Sequence, residues 1–217
     1  MKFLALAALM GLSLNAATIS FGPVSTTPSF NPGDQSSYVQ FLNLPLFNPA
    51  LGTLTGVEIT VDTQLNKSGN MVNNGSNAAS LGYTYGPTSI GVTGLGVVHS
   101  QVATGAFTIG QTFLNVPGGG GVVNIAALQE TDLGNVFNPG IAGFTGVGTT
   151  PYQVDAIANL FTSCGSGNCS TNIATLMGAQ ISVTYTYTVD ETGVPEPSTN
   201  LMMGAGLLLV GLIARKR

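Results

Sequence analysis

From Gln180 to Val189 apolar and polar residues alternate without a break. Ile181, Val183, Tyr185, Tyr187 and Val189 fall on one side, and Gln180, Ser182, Thr184, Thr186 and Thr188 on the other. A period of two is that of a strand with one face in a core and one in water. The same alternation sets Val57, Ile59 and Val61 against Glu58, Thr60 and Asp62. Stretches rich in β-branched and aromatic residues predict further strands over residues 19–21, 38–44, 79–85, 97–108 and 122–128. Gly, Asn and Pro turns separate them, including Gly118 to Gly121, which reads as a hairpin connection. Tyr152 to Phe161 is open to a helical reading, because Gln153, Asp155 and Asn159 fix no period.

Many short strands between turns predict an all-β fold, an antiparallel β-sandwich whose topology, jelly-roll-like or Ig-like, the pattern leaves open. Thr and Ser would coat the outer faces while Tyr and Val pack inside. Phe47-Asn-Pro-Ala-Leu-Gly-Thr-Leu-Thr-Gly-Val57 echoes Phe137-Asn-Pro-Gly-Ile-Ala-Gly-Phe-Thr-Gly-Val147. Asn-Pro starts a turn and the preceding Phe can pin it to a core, so a reused corner is the simpler reading and a duplicated half-sandwich the sharper one.

Both ends of the chain depart from this pattern. Lys2 followed by an apolar run to Leu14, with small residues at Ala16 and Ala17, reads as a signal peptide over residues 1–17. Residues 18–193 then form the body and 194–217 a tail. Val194-Pro195-Glu196-Pro197 cannot continue a strand, since proline lacks the backbone donor. Leu201 to Ala214 carries no charge, and Arg215, Lys216 and Arg217 follow, a membrane-stop pattern that favours the cytoplasmic side. Counted from Ser198, a transmembrane helix would span roughly 25 Å, short of a ~30 Å hydrocarbon core but within reach of snorkelling basic side chains.

Pro-Glu-Pro, an apolar helix containing glycine and a terminal Arg/Lys cluster, in that order, resemble the PEP-CTERM sorting signal of Gram-negative bacteria. The resemblance implies recognition by exosortase, a membrane-embedded transpeptidase-like enzyme, with cleavage near Pro195-Glu196-Pro197. A second resemblance lies in the body. Leu44-Pro-Leu-Phe-Asn-Pro-Ala-Leu-Gly-Thr-Leu-Thr-Gly-Val57, Phe144-Thr-Gly-Val-Gly148 and Val183-Thr-Tyr-Thr-Tyr187 are similar to the choice-of-anchor E domain of exported bacterial proteins. That family implies a surface protein and supplies no catalytic or ligand-binding residues.

Charge narrows the function further. Charged residues make up 6% of the chain, against ~25% in ordinary globular proteins. Lys2, Arg215, Lys216 and Arg217 lie in the terminal segments, which leaves Lys67 as the cation of the body. Asp34, Glu58, Asp62, Glu130, Asp132, Asp155, Asp190 and Glu191 oppose it. Nucleic-acid binding needs a basic surface to displace phosphate counterions, so that class is excluded. Cys164 and Cys169 flank Gly-Ser-Gly-Asn and read as a disulfide closing a small loop in an oxidising compartment.

Candidate chemistry is sparse. Nucleophilic catalysis would have to use His99, which lies in the apolar stretch Leu95-Gly-Val-Val-His-Ser100 and reads as a packed strand residue. Glycoside hydrolysis would need two of Glu58, Asp62, Glu130, Asp132 and Asp155 at ~5–9 Å, a spacing the sequence does not fix. Glu130, Asp132 and Asn135 offer oxygens for calcium if they share a loop. Gly118 to Gly121 lacks the Lys-Ser/Thr of a phosphate cradle. The expectation is therefore a non-enzymatic protein, without a cofactor, structural or adhesive, at the cell surface or in an extracellular polysaccharide matrix or biofilm. Its partners would be an exosortase-type enzyme, the membrane and polysaccharide. The alternative is a carbohydrate-binding module stacking sugars on Tyr38, Tyr83, Tyr85 or Tyr152.

Overall fold

A computed structural model of the chain describes residues 16–27, 29–30 and 36–189. The apolar start of the expected leader and the whole tail, with Val194, Pro195, Glu196, Pro197, Arg215, Lys216 and Arg217, lie outside the described residues.

Ten strands make two antiparallel sheets: β1 (Ala16–Thr26), β2 (Ser29–Phe30), β3 (Ser36–Pro45), β4 (Thr53–Asn73), β5 (Ala79–Gly94), β6 (Val97–Val102), β7 (Gln111–Val116), β8 (Gly121–Phe137), β9 (Thr149–Cys164) and β10 (Cys169–Thr188). One sheet, here the first, runs β1-β10-β4-β8 with β2 as a spur on β10. The second runs β3-β9-β5-β6, with β7 also on β5. Since β6 pairs with the second half of β5 and β7 with its first half, the two lie end to end as one interrupted edge. Eight strand positions then divide four and four, and every connection crosses between sheets except the β1–β2 step along β10, the β5–β6 hairpin and the β6–β7 break. This is jelly-roll order, which settles the topology the residue pattern left open.

The alternation read along 180–189 holds as far as Tyr185, with Ile181, Val183 and Tyr185 buried between the sheets, but Tyr187 is half-buried and Val189 is exposed just past the end of β10. In β4 the parity runs further than its opening suggested. Val57, Ile59, Val61, Thr63, Leu65 and Lys67 are buried in succession, and the same parity reaches Met71 and Asn73 past Gly69, where the pairing with β8 shifts register. The opposing layer comes from Leu42 and Leu44 of β3, Ile90 and Val92 of β5, and Val154, Ala156 and Ala158 of β9. Gly94 leaves room for the Tyr152 ring, since a Cβ there would stand 2.3 Å from it. Tyr152 donates to the Leu95 carbonyl at 3.1 Å, tying β9 to the β5–β6 turn.

Three expectations change. Tyr152 to Phe161 is strand, because Tyr152, Val154, Ala156, Ala158 and Leu160 face the core in period two. Its outward positions happen to be mixed, which hid the pattern. The run 97–108 is interrupted: β6 stops at Val102, and a single helical turn, α1 (Gly105–Thr108), follows with Gly105 at φ +49°. Gly118 to Gly121 joins strands of different sheets instead of a hairpin, and is fixed by Gly119 N–H donating to Gly75 O and Gly120 N–H to Asn73 O.

The echoed segments meet each other. Phe47 N–H donates to Phe144 O and Gly146 N–H to Phe47 O, in a short parallel bridge. The first echo carries the chain from the second sheet to the first, and the other carries it back. Opposite directions favour a shared corner over a duplicated half. Asn48 shows how the corner works: its side chain accepts from Ala50 N–H at 3.0 Å and starts a one-turn 3₁₀ helix at Pro49.

Candidate functional site

The polar groups singled out in sequence gather mainly where edge strand β6 faces edge strand β8. Glu130 and Asp132 sit within β8, not in a loop. Asp132 Oδ2 lies 3.6 Å from His99 Nε2, and Thr63 Oγ1 lies 3.1 Å from the same nitrogen. A hydroxyl–imidazole–carboxylate relay needs the carboxylate on one ring nitrogen and the nucleophile on the other. Here both compete for Nε2, and Thr63 is 1% exposed. The contact positions a packed histidine, whose ring also meets Phe137 edge-on at 6.3 Å.

Glu130 Oε2 accepts from Thr104 N–H at 3.1 Å, at the start of α1. Asp132 Oδ1 accepts from the Asn135 amide at 2.8 Å, so Asn135 turns its nitrogen toward the acid. Each of the two acids thus has one oxygen engaged by an N–H donor, and among the described residues no group of three His, Cys, Asp or Glu side chains is placed to hold a metal. Glu58 stands apart on the outer face opposite Thr184, and Asp62 Oδ1 accepts from Gly134 N–H at 2.6 Å. Asp155 is on the other sheet, where the Gln153 amide donates to both its oxygens.

Lys67 is the residue that sequence reasoning passed over. It is 5% exposed, between the sheets, with Nζ donating to the Phe107 carbonyl at 2.7 Å. The rings of Tyr85, Phe107 and Tyr83 surround it at 5.0, 5.2 and 5.8 Å. Burial lowers its pKa from the ordinary lysine value, and the Glu130 carboxylate offsets part of that. Cation–π attraction and the carbonyl hold the ammonium where water does not.

The same rings dispose of the tyrosine platform. Tyr83 and Tyr85 are 6% exposed and Tyr152 is fully buried, so none can stack on a sugar. Tyr38 is half-buried, its hydroxyl donating to Gln40. The exposed aromatic rings on the second sheet's outer face are those of Phe41 and Phe161. Tyrosine is amphipathic, and at inward positions its hydroxyl found internal partners: Tyr185 donates to Pro45 O at 2.8 Å.

At one end of the sandwich Cys164 and Cys169 form the expected disulfide, with Cα atoms 6.1 Å apart. It closes the loop between β9 and β10. Beside it Asn73, fully buried, donates from Nδ2 to Asn77 O and Val116 O, both at 2.9 Å. Its Oδ1 accepts from Gly75 N–H at 3.0 Å and from the Ser166 hydroxyl at 2.9 Å.

The opposite end is where the chain enters and leaves. Ala16 pairs with Thr188, and Ala17, on the leader side of the expected boundary, with Tyr187. β10 runs 20 residues from the disulfide to this end, about 65 Å at ~3.3 Å per residue. Among the described residues no helix is long and apolar enough to cross a membrane.

Comparison with known proteins bears on the tail. A family profile described as the PEP-CTERM protein-sorting motif matches residues 193–217. The chain is thus an exported protein that carries a signal for exosortase-type sorting to the cell surface, with transient anchoring in the membrane. No curated protein matches the chain. Among solved structures, the infectious bursal disease virus VP2 subviral particle is similar at 7% identity, over 87% of this chain and 42% of that one, with a TM-score of 0.20. The same virus in its Gt strain is similar at 12% identity, over 97% and 52% of the two chains, with a TM-score of 0.16. The chain therefore spans about half or less of those chains, at scores that carry no argument about its function.

Proposed function

We propose that the protein is a non-enzymatic surface or matrix component, with a structural or adhesive role in extracellular polysaccharide or biofilm. A signal peptide over residues 1–17 exports it, a transmembrane helix in 194–217 holds it for processing, and residues 18–193 form a choice-of-anchor E-like body. The observation that carries the reading is the sorting motif over residues 193–217, which starts soon after Thr188 ends β10, an inner strand of the first sheet. Entry and exit at one end support it: a body tethered there presents its disulfide end outward. The surface supports it too, since the Ser20 and Thr184 hydroxyls bond across strands at 2.8 Å and the Thr55 hydroxyl donates to Thr186 O.

The test is deletion of residues 194–217 followed by cell fractionation and mass determination. The expected result is loss of envelope retention and of the processed form. Unchanged retention and size would refute sorting. A tail-less protein that still accumulates with the polysaccharide fraction would place the matrix affinity in the body, whereas loss of all polysaccharide association from the intact protein would refute the matrix role.

A further inference from the structure

A jelly roll leaves edge strands open, and unpaired backbone N–H and C=O groups on an edge invite a further strand. Most edges here are blunted. β1 carries Pro23 and a register shift between Phe21 and Val24. β8 has register shifts at Val61/Thr63 and Lys67/Gly69 of its partner and turns Glu130 and Asp132 inward. β6 and β7 are six residues each and separated by α1. Inward charges, bulges and short strands all oppose edge-to-edge pairing.

β3 has none of these. Its ten residues pair with β9 in unbroken register from Ser36 to Pro45. It contains no charged residue, and its proline is the last position. Val39 and Phe41 point outward at 52% and 55% exposure, with Ile157 of β9 on the same face at 40%. β1 reaches β3 through the Thr26 hydroxyl on the inward-pointing Gln40. Among the described residues no backbone hydrogen bond reaches the far side of β3.

We propose that β3 is a self-association edge, occupied by β3 of a second copy in antiparallel pairing. Charge chooses the occupant. Glu58, Asp62, Glu130 and Asp132 all belong to the first sheet, so two copies of this acidic chain approach with least repulsion along β3. Asp155 is the acid on the second sheet among the described residues, one strand in from β3 and held by Gln153. In the pair the two Asp155 carboxylates are three strand spacings apart, about 14 Å, beyond the ~8 Å screening length of physiological salt. A two-fold axis through the paired strands is the commonest dimer symmetry and brings Val39 and Phe41 of both copies together on one face. It also points the two chain exits in opposite directions.

The test is sedimentation velocity of the exported protein purified from its host, over about a hundredfold range of concentration. A reversible monomer–dimer equilibrium is expected, with β3 amides gaining hydrogen-exchange protection as concentration rises. Val39→Lys with Phe41→Lys should weaken the dimer by at least about tenfold. Val98→Lys, at a position 79% exposed on β6, should leave it unchanged. A monomer at every concentration overturns the proposal, as does a dimer indifferent to the β3 substitutions or equally sensitive to Val98→Lys. A strand of another protein found on β3, with this chain monomeric, overturns it too. The proposal needs only the body, so its failure leaves the sorting reading standing.

Discussion

Asn73 offers the most direct test of how the disulfide end is held. Asn73→Leu keeps the branching and the number of side-chain heavy atoms and removes every polar atom. The bond to Val116 O is buried, and stranding that carbonyl costs about 1–3 kcal/mol. The bonds to Asn77 O, Gly75 N–H and the Ser166 hydroxyl lie where water can partly reach, and each forfeits about 0.5–1.5 kcal/mol. The sum is about 5 kcal/mol. For a domain of this size each kcal/mol lowers Tm by about 2–4 °C, so calorimetry should show a fall of about 10–20 °C. Hydrogen exchange should locate the damage, with the amides of Gly75, Gly119 and Gly120 accelerating before those of β9. A loss under about 1 kcal/mol, or acceleration spread evenly over both sheets, would refute the idea that one amide ties these loops together.

Lys67→Met should spare the protein the desolvation of a buried ammonium near pH 7, an advantage reduced by about 1–3 kcal/mol because the buried Phe107 carbonyl loses its donor. Because burial lowers the folded pKa of Lys67, the unfolded chain holds the extra proton between the two pKa values, and native stability rises with pH across that interval. The advantage of the Met variant should therefore shrink as urea titrations move toward pH 10; a difference independent of pH contradicts the assignment. Burial raises the Tyr185 pKa to about 12, so the protein should lose stability from about pH 10 upward as the unfolded tyrosine ionises first. Tyr185→Phe should soften that loss while costing about 1–2 kcal/mol at neutral pH, and an unaltered alkaline limb would count against it. Reducing Cys164–Cys169, a bridge only five residues apart in sequence, should cost about 2 kcal/mol by loop entropy; complete unfolding on reduction would show that the bridge carries more than closure.

The alternation in β10 and at the start of β4 was legible because these strands are buried on one face and wet on the other. Continued from Val57, the same parity reaches Lys67 and, beyond the shift at Gly69, Asn73, so both central polar residues were readable in principle. They were passed over because charge and amide side chains argue for surface until the strand is known to run on. β9 was obscured by its outward Gln153, Asp155 and Asn159, and the break after Val102 depends on Glu130 capping Thr104 from the other sheet. No local pattern holds that information. The tyrosines mislead for a related reason, since their hydroxyls qualify them equally for a binding platform and for an internal bond such as that of Tyr152 to Leu95 O.

β10 lies in the middle of the first sheet, between β1 and β4, yet it is the last strand in the chain. Until β10 is made, β1 has no partner in its sheet and β4 has only β8, so the first sheet cannot close. Loop-closure entropy between Ala16 and Thr188 is met at the close of synthesis. Strand order thus acts as a timer: the first sheet stays open until its last strand arrives, and only then can the core close.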